Sequence, residues 1–325
     1  MLDLEFSTAD LALSRFAYSP LWECVAALRV LKDPAEHAPH VRWIRAAAPR
    51  LAAVRADLAL VDALVPVPTR TLPSFLAPTP ATPAPRLDDE LAALRAVPAE
   101  EVRGQLDEIG GPRPAPLREL YANPAGGLDR LATETRRFFD AVLAGDWPRV
   151  RALLEADVAY RARALADGGP ERLFAGLDPA IRWADGTLSI RLRFHTAAYR
   201  LDGRGVVLVP SAFVWPRVFV KSGVRWPVTI RYAPRGLGLL WSPGGAPARA
   251  ALAGVLGPTR ALLLTTLDAP ASTTELAERT GLSPGAVSQQ LGALRAAGLV
   301  TAQRDGRFVL YARTAVAGAL LAAAG

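Results

Sequence analysis

One cysteine and three histidines are all that 325 residues supply of those types, and each scarcity removes a class of chemistry. Cys24, alone, forms no internal disulfide and leaves no site built from several thiolates. With His37, His40 and His195 as the whole histidine complement, a cysteine–histidine metal site is not expected, nor any cofactor. No run of eighteen apolar residues occurs, and the opening MLDLEFSTAD has neither a basic nor an apolar leader region. The expectation is a cytoplasmic protein with no membrane partner. The stretch GLSPG, Gly281 to Gly285, fits the nucleophile-elbow pattern of serine hydrolases, but the polar STTELAERT precedes it where a buried strand is needed. All three histidines lie before Ser283, so a hydrolase of that chain order lacks its base.

What the chain does have is a 51% hydrophobic composition, enough for sizeable cores in two or three domains. The net charge of +7 is unevenly spread: −4 over residues 1–180, +9 over 181–250 and +2 over 251–325. Lys32 and Lys221 are the only lysines. Alanine and arginine abound instead, a bias that GC-rich coding produces without functional cause, so arginine abundance alone is no sign of DNA binding.

The spacing predicts an α+β fold: a helix-rich N-terminal domain with an antiparallel sheet, then a C-terminal winged helix-turn-helix. In LDLEF, residues Leu2, Leu4 and Phe6 share one strand face. SPLWECVAALRVL reads as a helix with Ser19 as N-cap and Pro20 in the first turn, and HVRWIRAAAPRLAAVRADLALVDALV as helices interrupted at Pro49. LAPTPATPAPR, Leu76 to Arg86, reads as an extended connector, followed by four further helical segments up to about residue 180. The acidic clusters Asp88-Asp89-Glu90 and Glu100-Glu101 sit at helix starts, where carboxylates complement the dipole.

From about residue 181 the period changes to two. TLSIRLRF alternates apolar and polar residues, Asp185-Gly186 and Asp202-Gly203 mark turns, and VVLVP, RVFV, VTIRY and LGLLW read as further strands. A sheet of four to six strands is expected, joined by LDLEF. Residues 1–250 are then one α+β unit, helical over 1–180 and sheet over 181–241, with SPGGAPA, Ser242 to Ala248, as the linker to a domain over 251–325.

In that last domain GPTRALLLTTLDAP reads as a helix with Leu262, Leu263 and Leu267 on its apolar side. Ser272 and Glu275 have capping-box spacing, Gly281 is placed to end that second helix, and Ser283 with Pro284 opens a third. Val287, Leu291 and Leu294 make its core stripe, leaving Gly285, Ser288, Gln289 and Gly292 on the other side. A helix with so small and polar a face fits the roughly 12 Å wide major groove. LVTAQ, RDGR and FVLYAR then form a hairpin whose Arg304 and Arg307 are placed for phosphate or minor-groove contact.

These residues, TTELAERTGLSPGAVSQQLGALRAAGLVTAQRDGRFVLY, resemble the winged helix-turn-helix of the ArsR family of transcriptional regulators, over roughly residues 255–325. The resemblance implies a homodimer that binds double-stranded DNA at a palindromic operator, usually as a repressor released by a ligand. It implies that Ser283, Ser288, Gln289 and Gln290 lie on the reading helix and Arg304 and Arg307 on the wing. Metal-sensing members carry paired cysteines before the reading helix, where this chain has ELAER, so metal sensing is not carried over.

Other readings compete. The basic segment FVWPRVFVKSGVRWPVTIRY is either a sheet with arginines on its wet face or a binding site, for DNA backbone or an anionic aromatic effector, at Trp215, Arg217, Arg225, Trp226 and Arg231. Cys24 is core or a redox sensor. Residues 1–250 serve dimerisation and effector sensing, or they form an enzyme that the winged helix merely dimerises, or a scaffold that binds another protein through the basic sheet. No P-loop, HExxH or complete GxGxxG supports the enzyme.

Overall fold

The computed structural model describes residues 1–69, 71–109, 113–192, 196–222, 227–241, 248–267, 270–305 and 308–324. They form two compact units, Met1–Leu237 and Gly238–Gly325.

In the first unit strand β1 (Leu2–Glu5) leads into helix α1 (Thr8–Leu13), strand β2 (Arg15–Phe16) and helix α2 (Pro20–Lys32). Leu2 and Leu4 are fully buried while Asp3 and Glu5 face outward, as the alternation requires. The helical layer continues with α3 (Val41–Val54), α4 (Ala59–Leu64), α5 (Leu87–Arg95), α6 (Ala99–Ile109), α7 (Ala115–Ala122), α8 (Pro124–Phe138) and α9 (Trp147–Phe174). Strands β3 (Ile181–Ala184), β4 (Thr187–Ile190), β5 (Ala197–Arg200), β6 (Val206–Pro210), β7 (Phe219–Lys221) and β8 (Val228–Tyr232) follow.

LDLEF does join strands almost two hundred residues away, but not in one antiparallel sheet. Two four-stranded sheets form, ordered β3-β4-β1-β5 and β2-β6-β8-β7. The pairs β3–β4, β1–β4 and β7–β8 are antiparallel, whereas β1–β5, β2–β6 and β6–β8 are parallel. The reason is visible in VVLVP and VTIRY: all five residues of β6 and of β8 are buried, the signature of parallel strands covered on both faces. Leu2, Leu4, Leu188 and Ile190 of the first sheet share one core with Val206, Leu208, Val228 and Ile230 of the second and with Phe174 of α9. The Asp185-Gly186 turn closes the β3–β4 hairpin with φ of 49° and 74°, the left-handed pair such a two-residue loop demands.

Three local expectations are corrected. Helix α3 runs through Pro49, because Trp43, Ala47 and Leu51 bury one face on either side of it and packing outweighs the lost hydrogen bond. LGLLW is no strand: Gly236 at φ 81° turns the chain into a 3₁₀ turn at Leu237–Leu239. The proline-rich segment after Leu76 is packed against the unit rather than spanning solvent. The Pro83 carbonyl accepts from Tyr18 N–H at 3.1 Å, Thr79 meets Thr229 at 2.8 Å, and Pro80 accepts from Arg15.

Helix α2 occupies the middle of this unit, with every residue from Pro20 to Val30 buried. Ser19 caps it, accepting Trp22 N–H at 2.9 Å. Cys24 lies in this core, and burial pushes its thiol well above the ordinary range, which leaves it a packing residue. His37 and His40 are buried too, and desolvation pushes them down to about 4 and about 3, so both are neutral imidazoles at pH 7. Glu23 accepts the N–H groups of Ala212 and Phe213 at 3.2 and 3.3 Å, yet burial pushes its carboxyl up to about 8.

A raised folded value means that the protonated acid is the form the fold favours. Its stabilisation is complete below the ordinary carboxyl value of 4.5 and is lost as pH rises to about 8. Glu23→Gln keeps a neutral polar group there. Its stability relative to the parent chain should therefore climb by as much as about 1.4 kcal/mol per pH unit between about pH 5 and 8 and level off above. Urea midpoints across that range test this; a difference independent of pH would mean that Glu23 ionises in the fold as it does in the unfolded chain.

Candidate nucleic-acid interface

The second unit begins with helices α10 (Ala248–Leu256) and α11 (Pro258–Thr266), so the expected boundary at 250 falls within a helix, and the expected linker lies largely outside the described residues. Strand β9 (Ala271–Ser272), helices α12 (Thr273–Thr280) and α13 (Pro284–Ala296), strands β10 (Val300–Asp305) and β11 (Phe308–Arg313) and helix α14 (Ala315–Ala324) complete it.

Both ends of α12 and the start of α13 are set by short-range devices. Ser272 Oγ accepts Glu275 N–H at 3.3 Å while Glu275 accepts Ser272 N–H at 2.7 Å, a closed capping box whose hydrogen bonds hold the Glu275 carboxyl below its usual range. Gly281 ends α12 at φ 71°, a left-handed conformation natural to glycine. Ser283 caps α13 by accepting Ala286 N–H at 3.3 Å, with Pro284 at the first helical position. The serine of GLSPG is thus a cap.

Helix α13 is pinned by Val287, Leu291 and Leu294, which pack with Leu263, Leu264, Leu267 and Leu276. Leu264 takes the core place expected of Leu262, which is only half-buried. Across the helix, Gly285, Ser288, Gln289 and Gly292 are all exposed. A Cβ built on Gly285 or Gly292 would meet no atom within 4 Å, so packing inside the chain does not call for glycine there. The wing is formed by β10 and β11, antiparallel with Asp305 opposite Phe308, and β9 adds a third strand.

The expected contact residues divide by position. Ser288 and Gln289 lie on the open face and Arg304 is exposed on β10, whereas Arg307 lies outside the described residues. Gln290 sits on the flank, where its Oε1 accepts from Arg260 Nε at 3.0 Å and ties α13 to α11. Arg313, which the sequence did not single out, donates to the Leu264 and Thr265 carbonyls at 2.8 Å and locks the wing to the end of α11. Nothing in the local pattern marks Arg260 or Arg313, because their partners lie 30 and 49 residues away.

In the first unit the basic segment departs from a simple wet face. Arg231 is 3% exposed, donates to the Ala77 carbonyl at 2.9 Å and lies 4.4 Å from the Trp22 ring. Arg217 donates to Thr69 O at 3.2 Å and pairs with Glu36 at 2.6 Å. Trp215 is half-buried, with its carbonyl 2.7 Å from His37 Nδ1, and Arg225 and Trp226 lie outside the described residues.

Comparison with known proteins agrees with this geometry. Residues 256–303 match a family described as a helix-turn-helix domain, and residues 113–236 match a family of unknown function (DUF5937). The HTH-type transcriptional regulator NmtR of Mycobacterium tuberculosis is 39% identical over 71 residues, which are 22% of this chain and 59% of that protein. No solved structure matches the chain.

Ser272→Ala removes the cap of α12 and should destabilise the C-terminal unit by about 1 kcal/mol, within the usual 0.5–2 kcal/mol for such caps. Amide hydrogen exchange along α12 reads this directly, and unchanged protection would mean that the capping box contributes nothing.

Proposed function

We propose that this chain, whose C-terminal domain is a helix-turn-helix of the ArsR type, is a homodimeric transcriptional repressor that binds a palindromic operator through α13 and responds to a small-molecule effector. The observation that carries the reading is the outer face of α13. It offers one amide, Gln289, and one hydroxyl, Ser288, between two glycines that packing does not require, on a helix fixed from behind by three buried side chains. Such a face lets the backbone approach base edges while the amide pairs with one of them. Arg304 on the wing adds a phosphate contact.

Dimerisation is supported by the terminal helices of the unit. Val255 on α10 is 81% exposed and Val316 on α14 is 63% exposed, large apolar side chains that a second copy would cover. A dimer also doubles the modest +2 charge of the domain and sets two reading helices about 34 Å, one DNA turn, apart. Such a role belongs in the cytoplasm, and no described helix is long and apolar enough to cross a membrane.

Fluorescence anisotropy of the full chain on DNA from its own promoter region and on scrambled DNA, at two salt concentrations, tests the reading. The parent chain should prefer the promoter DNA at both. Gln289→Ala should lose about 1–3 kcal/mol on that DNA alone, and equal weakening on both DNAs would remove Gln289 from base contact. Arg304→Ala should weaken both and lower the salt slope by about one, an unchanged slope taking Arg304 out of the phosphate contacts.

A further inference from the structure

The N-terminal unit holds a cavity of about 470 Å³, bordered by Thr69 and residues 71–77 on one side and by β7 and β8 on the other. That volume is in the range of small-molecule sites. Its wall is aromatic: the Phe219 and Trp22 rings lie 5.3 Å apart, with the Arg29 guanidinium 5.3 Å from Phe219 and that of Arg231 4.4 Å from Trp22. Cations at both ends of this ladder hold the two rings in place.

The charge lining the cavity is lopsided. Among the described lining residues Arg191, Arg217, Lys221 and Arg231 face one acidic residue, Asp178, whose Oδ1 already accepts Ala180 N–H at 2.8 Å, while Arg217 is paired with Glu36. Lys221 and Arg231 are 8% and 3% exposed, two cations buried beside one cavity. Burial and the repulsion of Arg231 pull the Lys221 ammonium down to about 8. On the bordering segment Lys221 donates to Ser74 O at 3.2 Å and Arg231 to Ala77 O at 2.9 Å, both carbonyls, while the carboxyls of Glu101 and of Glu90 and Glu23 favour the charged forms of Lys221 and Arg231. Charged acceptors bind such donors roughly twice as strongly as neutral ones.

We infer that this cavity binds an aromatic carboxylic acid, with its carboxylate at Lys221 and Arg231 and its ring against Trp22 and Phe219. The inference rests on the regulator reading only in making this acid the effector; binding itself requires no DNA.

Isothermal titration calorimetry of the full chain with 1-naphthoate, 1-naphthamide and inorganic phosphate tests it. Naphthoate should bind about tenfold or more tighter than either of the others, a difference of about 1.4 kcal/mol or more. Lys221→Met should cost about tenfold, and the exposed rim variant Arg191→Glu, which does not disturb the core, should cost several-fold and decides the matter if Lys221→Met fails to fold. Equal binding of the amide, phosphate binding as tight as naphthoate, unchanged affinity in the folded variants, or no naphthoate binding at millimolar concentration would each overturn the inference. Operator titration of the same preparation separates the two readings. DNA preference without naphthoate binding removes the cavity assignment alone, and naphthoate binding without DNA preference supports the site while removing the regulator.

Discussion

A helix enclosed on every side must have its polar groups met from within the protein, and helix α2 sets that condition for the N-terminal unit. Its first backbone donors have no partner inside the helix. Ser19 takes the Trp22 N–H, and Glu90, from the first turn of α5, takes the Leu21 N–H at 2.8 Å and the Ser19 hydroxyl at 2.6 Å. Further along, Glu23 accepts from the backbone of residues 212 and 213, and Arg29 donates to the carbonyls of Phe213 and Val214 at 3.2 Å. One loop is therefore gripped through both its donors and its acceptors. An unmet buried polar group costs about 1–3 kcal/mol, so this network ties α2, α5 and the chain leaving β6 into one register.

The same solution recurs at other element ends of the unit. Glu134 on α8 accepts the Leu60 and Val61 N–H groups at 2.8 and 2.9 Å, capping α4. Asp157 on α9 takes the Tyr232 hydroxyl at 2.8 Å and Arg235 N–H at 3.0 Å, fixing the end of β8. Arg161, buried one turn on, donates to the carbonyls of Ala175 and Gly176 beyond the kink that Gly169, at φ 66°, makes in α9. Carboxylates close N-termini and guanidiniums close C-termini. Arg231, in the most basic segment, is spent in the same way on the Ala77 carbonyl and is not part of an exposed cationic surface.

The sequence was most legible where structure is set within a few residues. Ser19, Ser272 and Ser283 as caps, Gly281 as a helix end and Asp185-Gly186 as a hairpin turn are local devices, and each is where its spacing put it. The winged helix, built almost wholly from such devices, could be read down to the stripe of Val287, Leu291 and Leu294. The N-terminal unit could not. Alternation marked β1 as a strand but said nothing of its parallel pairing with β5. The Glu90 carboxylate fitted a helix start by its position, and its real partners lie 69 and 71 residues away. The proline-rich segment looked like a connector because each proline removes a donor and holds the chain extended, yet Leu76 at its head is buried and the Ala77 and Pro80 carbonyls receive side-chain donors.

The residues that lead into that segment bear on how the cavity would respond to a ligand. Residues 71–77 are seated in part by Lys221 and Arg231, through donors to Ser74 and Ala77. A carboxylate at the same two cations competes with those carbonyls, so occupancy and the seating of this segment draw on the same donors. A ligand shifts a conformational equilibrium only by its difference in affinity between the states. Competition for two buried cations would supply such a difference, since a state in which the segment yields them would bind the acid more tightly than one in which it keeps them. Arg231 also stands at one end of the cation ladder, 4.4 Å from the Trp22 ring, so the aromatic wall and the charged donors share that residue. A neutral ring of the same shape would occupy the wall without drawing Lys221 and Arg231 away from the segment.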